Sequence, residues 1–346
     1  MKEASLRTDE VQEPIHTVYI GGGTPSLLPP ALFRKMLNGL QQIYDFHAVT
    51  EYTSEANPGT VTSEWLDTAA GYGINRLSFG MQACQDRLLQ LLGRIHRKDD
   101  VSRSVSLARK SGISNISLDL IFGLPTQQLN EWTETLEYAL SLNPVHISAY
   151  GLIPEEGTPL FDDLQNHALT LPSPDIERDM YEAAISLLKD HAFQRYEISN
   201  FALEGYECKH NIGYWSQIPY IGLGVSAASM TDLHQQTDGI TYRRRSNPDS
   251  LEKYRNMIDC HGARWTDDLI TPKDARFETM MLALRMCRGI SDVDFLKKHH
   301  ISIRQCYGDK LDEMIKNGLL THENGSWKLT DRGFDIQNSI LVELMD

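Results

Sequence analysis

The sequence has little that would mark a membrane, a secreted or a nucleic-acid-binding chain. No stretch reaches the roughly 18 to 20 consecutive apolar residues of a membrane-spanning helix, and no charged-then-apolar leader opens it. Cysteine is scarce. The five are Cys84, Cys208, Cys260, Cys287 and Cys306, and no C-x-x-C pair occurs among them. That excludes a zinc knuckle and argues against a disulfide framework. Positive charge is short as well, with 33 Lys and Arg against 47 Asp and Glu and a formal net charge of −14. Such a balance disfavours a general binder of nucleic acid or of anionic membranes. The expectation is a cytoplasmic protein with no nucleic-acid partner and no integral membrane segment. Its 346 residues, 41% hydrophobic, suffice for one large domain and a smaller one.

What is present is a rhythm. Short β-rich runs at Thr17 to Gly22, Ala48 to Ala56, Ile74 to Gly80, Ile116 to Gly123 and Val145 to Leu152 alternate with helical patterns. The helices fall at Pro30 to Tyr44, Ser63 to Tyr72, Asp99 to Ser111 and Leu129 to Leu142. Strand–helix alternation predicts right-handed βαβ units and a parallel sheet, either a TIM-like barrel or a doubly wound sheet. After Gly151 the rhythm breaks. "IPEEGTPLFDDL" reads as a loop, Pro174 to Lys189 as a helix and "RYEISNFA" as another short strand. From Lys273 three helical patterns lead to "THENGSW", where Asn324-Gly325 predicts a tight hairpin. Three helices and a hairpin describe a winged-helix-like module, and its nearly balanced charges leave no basic face for DNA.

The glycine run Gly21 to Gly23 follows the first of these strands. A Walker loop needs a lysine and a Rossmann turn needs G-x-G-x-x-G running into a helix; Pro25, Pro29 and Pro30 fit neither. The run therefore reads as a place where bare backbone approaches a ligand, or as a tight turn alone. Polar residues recur at the carboxyl ends of the later strands: Glu55, Gln82 and Asp119, with Arg94 twelve residues past Gln82. Parallel α/β folds place ligand sites at those ends. The set suits a ligand with an amine, hydroxyls and a carboxylate.

The stretches "YIGGGTPSLL", "EANPGTV", "RLSFGMQ", "LLGRIHRKDD", "SLDLIFGLPTQ" and "YEISNFA…CKHNIGYW" resemble the coproporphyrinogen III oxidase-like radical S-adenosylmethionine family over nearly the whole chain. "HNIGYW", His210 to Trp215, resembles the H-N-x-x-Y-W motif of its haem chaperone branch. The resemblance implies an α/β fold: a partial parallel (β/α) barrel over residues 1–200, a haem-motif segment and linker over 201–272, and a winged-helix-like domain over 273–346. It implies that Gly22, Gly23 and Thr24 hold the amino group of S-adenosylmethionine. Arg94 suits its carboxylate and Asp119 or Glu55 its hydroxyls or amine, with Gln82 beside them. It implies that His210 binds haem iron, with Tyr214 and Trp215 as an aromatic wall and Cys208 as a rival ligand. The haem segment itself, flanked by Gly205, Gly222 and Gly224, reads as loop and turn.

The family's [4Fe–4S] cluster is held by a C-x-x-x-C-x-x-C loop after the first strand. No such loop occurs here, and the polar "KEASLRTDEVQEP" leads straight to what resembles the second strand. The expectation is a truncated or cluster-less chain, with Thr17 onward at a sheet edge and no cleavage of S-adenosylmethionine. Three functions remain open at this point. The first is a haem chaperone serving a recipient protein. The second is oxygen-independent decarboxylation of coproporphyrinogen III, and the third a non-catalytic module that binds S-adenosylmethionine or porphyrin.

Overall fold

In a computed structural model, residues 1–232, 240–260 and 265–345 are described, and they form two compact units. The first comprises His16–Gly39 and Phe46–Cys208. Its sheet runs β1 (Thr17–Ile20), β2 (Glu51–Ala56), β3 (Arg76–Gln82), β4 (Asn115–Phe122) and β5 (His146–Gly151), all parallel. Two short strands, β6 (Gln194–Arg195) and β7 (Asn200–Ala202), complete the order β1-β2-β3-β4-β5-β7-β6, with β7 antiparallel to β5. β1 is the edge strand among the described residues, as the sequence led us to expect.

Alternation along the strands sorts side chains to two faces. On one face Leu77, Phe79, Met81, Ile116, Leu118, Leu120, Ile147 and Ala149 are buried against helices Ser63–Gly71, Lys98–Lys110, Leu129–Ser141 and Pro174–Asp190. Trp65, Val105, Trp132, Leu136 and Ala184 are the main helical contributions to that core. The other face carries Glu55, Arg76, Ser78, Ser117, Asp119, His146 and Ser148, at the alternate positions of the same strands.

Helices begin where a side chain caps the free amides. Thr62, Ser173 and Thr271 accept from the backbone N–H three residues on, and proline follows the last two at the first helical position. The same Thr-Pro signal corrects one expectation: Thr158 caps a helix Pro159–Gln165 inside the stretch read as a loop. "RYEISNFA" is likewise two strands, β6 and β7, with a turn between them.

The second unit comprises Met1–Ile15, Leu40–Asp45 and Lys209–Asp346, so residues 1–15 lie outside the barrel unit to which they were expected to belong. The cause is electrostatic. Glu3 is buried and accepts from the Gly224 N–H, Asn247 Nδ2 and Tyr254 hydroxyl at 2.8, 2.7 and 2.6 Å. Arg7, fully buried, donates to the Gly222 carbonyl and Ser229 Oγ at 2.8 and 3.0 Å. Within this largely exposed polar stretch, Glu3 and Arg7 thus form a buried clasp. The expected linker 201–272 holds an antiparallel sheet instead: β8 (Ala228–Asp232), β9 (Tyr242–Ser246) and β10 (Thr266–Ile270). Its residues 233–239 and 261–264 lie outside the described set.

The C-terminal part has the three expected helices, Pro272–Ala283, Asp292–His299 and Ile303–Lys316, and two more, Asp331–Asp335 and Gln337–Met345, around Met280, Phe295, Leu311, Trp327 and Ile340. β12 (Leu320–Glu323) and β13 (Ser326–Leu329) form its wing, with β11 (Ile290–Ser291) on the far side of β13. Asn324 and Gly325 turn the hairpin at φ +52° and +73°, both left-handed as a type I′ turn requires.

The barrel core yields a stability test. Trp132 is fully buried, tilts against Phe122 with 5.5 Å between ring centroids, and donates its indole N–H to the Met180 carbonyl at 2.7 Å. Trp132→Ala should destabilise the protein by about 3–5 kcal/mol in chemical denaturation, through the cavity and the stranded carbonyl. A loss below about 1 kcal/mol would mean that the helix repacks onto the sheet.

Candidate functional site

The carboxyl ends of β1 to β5 converge on one polar cluster. Asp119 is its centre. In register it lies beside Gly80 on β3 and Ser148 on β5, and Ser148 beside Asn200 on β7. Ser148 Oγ donates to one carboxylate oxygen at 2.7 Å and Ser78 Oγ to the other at 2.8 Å. Burial raises the Asp119 pKa, and the two serines and Arg76 oppose it. The carboxylate keeps a window to solvent while the surrounding strands remove most of its hydration.

Gln82 ends β3 with φ +66°, where the register with β4 slips between Gly80 and Gln82. A left-handed glutamine beside a bulge is uncommon and is held only by its surroundings. A side chain at Gly80 would meet the Gln82 amide at 2.8 Å, so glycine there lets the amide fold over the sheet.

Arg94 is placed by a helix end. Helix Asp86–Leu91 closes with Gly93 left-handed at φ +66°, the Gly93 N–H donating to the Gln90 carbonyl and the Arg94 N–H to the Leu89 carbonyl at 2.8 Å. That is a Schellman end, and it projects the residue after the glycine. Burial pulls the Arg94 guanidinium below its ordinary value while the Asp119 carboxylate holds it up. Among the described residues no carboxylate is ion-paired with Arg94.

The glycine run closes the cluster. Gly22 and Gly23 are left-handed at φ +81° and +66°, exposed, with nothing within 4 Å of where a Cβ would stand. The Gly22 N–H donates to Glu55 Oε2 at 3.0 Å. Thr24 begins the single turn Pro25–Leu27. Ser26 ties that turn to the loop after β2, its Oγ accepting from the Asn57 N–H at 3.0 Å and lying 2.6 Å from Thr60 Oγ1.

Gly22, Gly23, Thr24, Glu55, Gln82, Arg94 and Asp119 therefore all stand at the carboxyl ends of the strands or on the loops that follow them. The structure adds residues that the sequence reading did not single out. Ser78, Ser148 and Asn200 line the same face, and Glu197 accepts from the Ser199 N–H at 2.9 Å and from the Asn200 amide. Tyr150, pushed up to about 12 mainly by burial and next by Asp119, and Tyr19 belong to it as well. Alternation of polar and apolar residues along "NISLDLIF" and "HISAYG" was the available signal.

His210 belongs to the other unit. Its segment is a helix, Lys209–Trp215, not the expected loop. One internal glycine costs a helix only about 1 kcal/mol, and His210 and Tyr214, four apart, bond across a turn at 2.9 Å. Tyr214 packs edge-on against His210 with 4.7 Å between centroids. Trp215, five residues on, points elsewhere and lies under the Arg285 guanidinium at 4.4 Å, so the expected aromatic wall reduces to Tyr214. Cys208 is fully buried in the barrel unit, with its thiol 3.5 Å from a Glu51 oxygen, and presents no open face as a rival ligand. Among the described residues no three Cys, His, Asp or Glu side chains converge as a metal site, and no helix is long and apolar enough to cross a membrane.

Comparison with known proteins joins these features. The radical SAM superfamily profile matches residues 3–139 and the HemN C-terminal domain profile residues 270–336. The heme chaperone HemW of Bacillus subtilis is 35% identical over 331 residues, covering 95% of this chain and 85% of that protein. The chain belongs to the HemW family of radical SAM proteins. The Lactococcus lactis HemW is 33% identical over 96% of this chain and 85% of its own. The bovine mitochondrial radical S-adenosyl methionine domain-containing protein 1 is 32% identical over 96% and 76%. The coproporphyrinogen III oxidase structure from Escherichia coli superposes with a TM-score of 0.82 at 21% identity, over 99% of this chain and 81% of that one. It shares the fold.

The buried carboxylate yields a pH test. Because the fold raises the pKa of Asp119, the native state holds that proton more tightly than the unfolded chain does. The associated stability is therefore present below the ordinary carboxylate range and is lost as pH rises toward the folded value. Asp119→Asn should raise the thermal midpoint, more above that range than below it. An equal offset at all pH values would show that the carboxylate ionises without cost.

Proposed function

We propose that the chain is a haem chaperone of the radical SAM type, which holds S-adenosylmethionine at the carboxyl ends of its strands and haem on His210 for delivery to a recipient protein. Support for the first site is chemical. S-adenosylmethionine carries an ammonium, a sulfonium, a carboxylate and two ribose hydroxyls. The cluster offers Glu55 and Asp119 to the cations and hydroxyls, Gln82 as donor and acceptor, and Arg94 to the carboxylate. Gly22, Gly23 and Thr24 present backbone at close range. These residues would bind and orient the cofactor. A [4Fe–4S] cluster does not fit the described residues. Cys84 lies buried beside Thr135 and Cys208 against Glu51, and among the described residues no thiolate triad forms.

The observation that carries the chaperone reading is the His210 side chain, half-buried on a helix none of whose residues is buried. Neutral imidazole is an established haem ligand. The decarboxylase alternative has no comparable use for that imidazole, and the two bacterial relatives named above bear the chaperone name.

Haem titration followed by absorbance tests it. His210→Ala should lose the ligated-haem spectrum, and Cys208→Ala should keep it. Tyr214→Phe should bind about 2- to 10-fold more tightly, because one hydrogen bond no longer competes with iron for Nε2. Unchanged binding in His210→Ala would overturn the assignment.

A further inference from the structure

One half-buried phenol of this cluster, Tyr19, holds the carboxylate of Glu55. Tyr19 sits mid-strand on β1. Its neighbours Val18 and Ile20 pack with the helix-covered core, so Tyr19 faces the polar side. Its hydroxyl donates to Glu55 Oε1 at 2.9 Å, while the Gly22 N–H holds Oε2 at 3.0 Å. Between them lies Gly21. A Cβ there would stand 2.6 Å from the Tyr19 ring and 2.9 Å from the Glu55 carboxyl carbon. The first glycine of the run is thus bare because the phenol and the carboxylate meet across it. Burial, with Glu55 and Asp119 close by, keeps the phenol protonated and therefore always a donor.

A carboxylate has about four acceptor positions, and two donors here leave about two. Each oxygen is pinned by one donor, so the carboxylate cannot rotate. Its unused positions lie by the left-handed Gly22–Gly23 backbone, where no side chain intrudes. We propose that Tyr19 is a positioning residue, which locks Glu55 as the acceptor for the ligand's α-ammonium group and thereby selects ligands that carry an amino-acid moiety. The inference rests on the cofactor reading above.

Isothermal titration with two neutral-sulfur probes separates the possibilities. S-adenosylhomocysteine keeps the amino acid and 5′-methylthioadenosine lacks it. Tyr19→Phe should weaken S-adenosylhomocysteine binding about 3- to 10-fold and leave methylthioadenosine binding unchanged. Gly21→Ala, which wedges the pair apart, should show the same selectivity. In a Glu55→Gln background, Tyr19→Phe should add nothing, since the two act as one unit. Equal loss for both probes, no loss for either, or an additive effect on Glu55→Gln would overturn the role of Tyr19 and leave the cofactor site standing. If the wild type binds neither probe, the cofactor reading falls and this inference with it.

Discussion

The two serine hydroxyls that hold Asp119 express the constraint on which the barrel unit depends. Parallel sheets are usually covered on both faces by apolar side chains. Here one face of β2 to β5 packs on helices and the other is polar along its length. A polar group on that face gains from a partner close by, because an unsatisfied buried group costs about 1–3 kcal/mol, and among the described residues Thr53 Oγ1, Arg76 Nε and Asn200 Oδ1 find none. Ser78 and Ser148 meet this need for Asp119, Tyr19 and Gly22 for Glu55, and Asn200 for Glu197. The register of the strands follows from these pairs as much as from the apolar core.

The two ends of the strands use polar groups differently. At the amino ends, His146 is fully enclosed between Ser117 Oγ at 2.8 Å and the Tyr196 hydroxyl at 2.9 Å. Burial and the nearby Arg76 hold its pKa well below the ordinary value. Tyr196 in turn accepts from the Cys208 N–H at 3.3 Å. That network is closed on itself and anchors the last residue of the unit. At the carboxyl ends the groups keep spare capacity. Arg94 has no carboxylate paired with it, Glu55 has unused acceptor positions and the Gly22–Gly23 backbone is bare. That spare capacity at the carboxyl ends is what the proposed ligand site would use.

How much of this was legible depended on range. The helices at Pro30, Ser63, Leu129 and Pro174, the five parallel strands and the Asn324-Gly325 hairpin could be read because periodicity, caps and turn chemistry are local. That Gln82 and Asp119 stand on parallel strands could be read because strand–helix alternation is local. Tyr19 could not, since one tyrosine in a strand looks like core, and its partner Glu55 lies 36 residues on. Nor could the roles of Glu3 and Arg7, whose partners lie more than 200 residues away.

The sequence by itself determined the alternation of strand and helix, the turn at Asn324-Gly325 and the types of residue available to bind a ligand, because each depends on neighbours within a few turns of chain. Only the tertiary structure decided which of those residues share a face, that the His210 segment coils into a helix, that Cys208 is sealed away and that Glu3 and Arg7 of the polar N-terminal stretch are buried. Those outcomes turn on whether a polar group has a partner once water is removed, and the partners come from strands and loops distant in the chain.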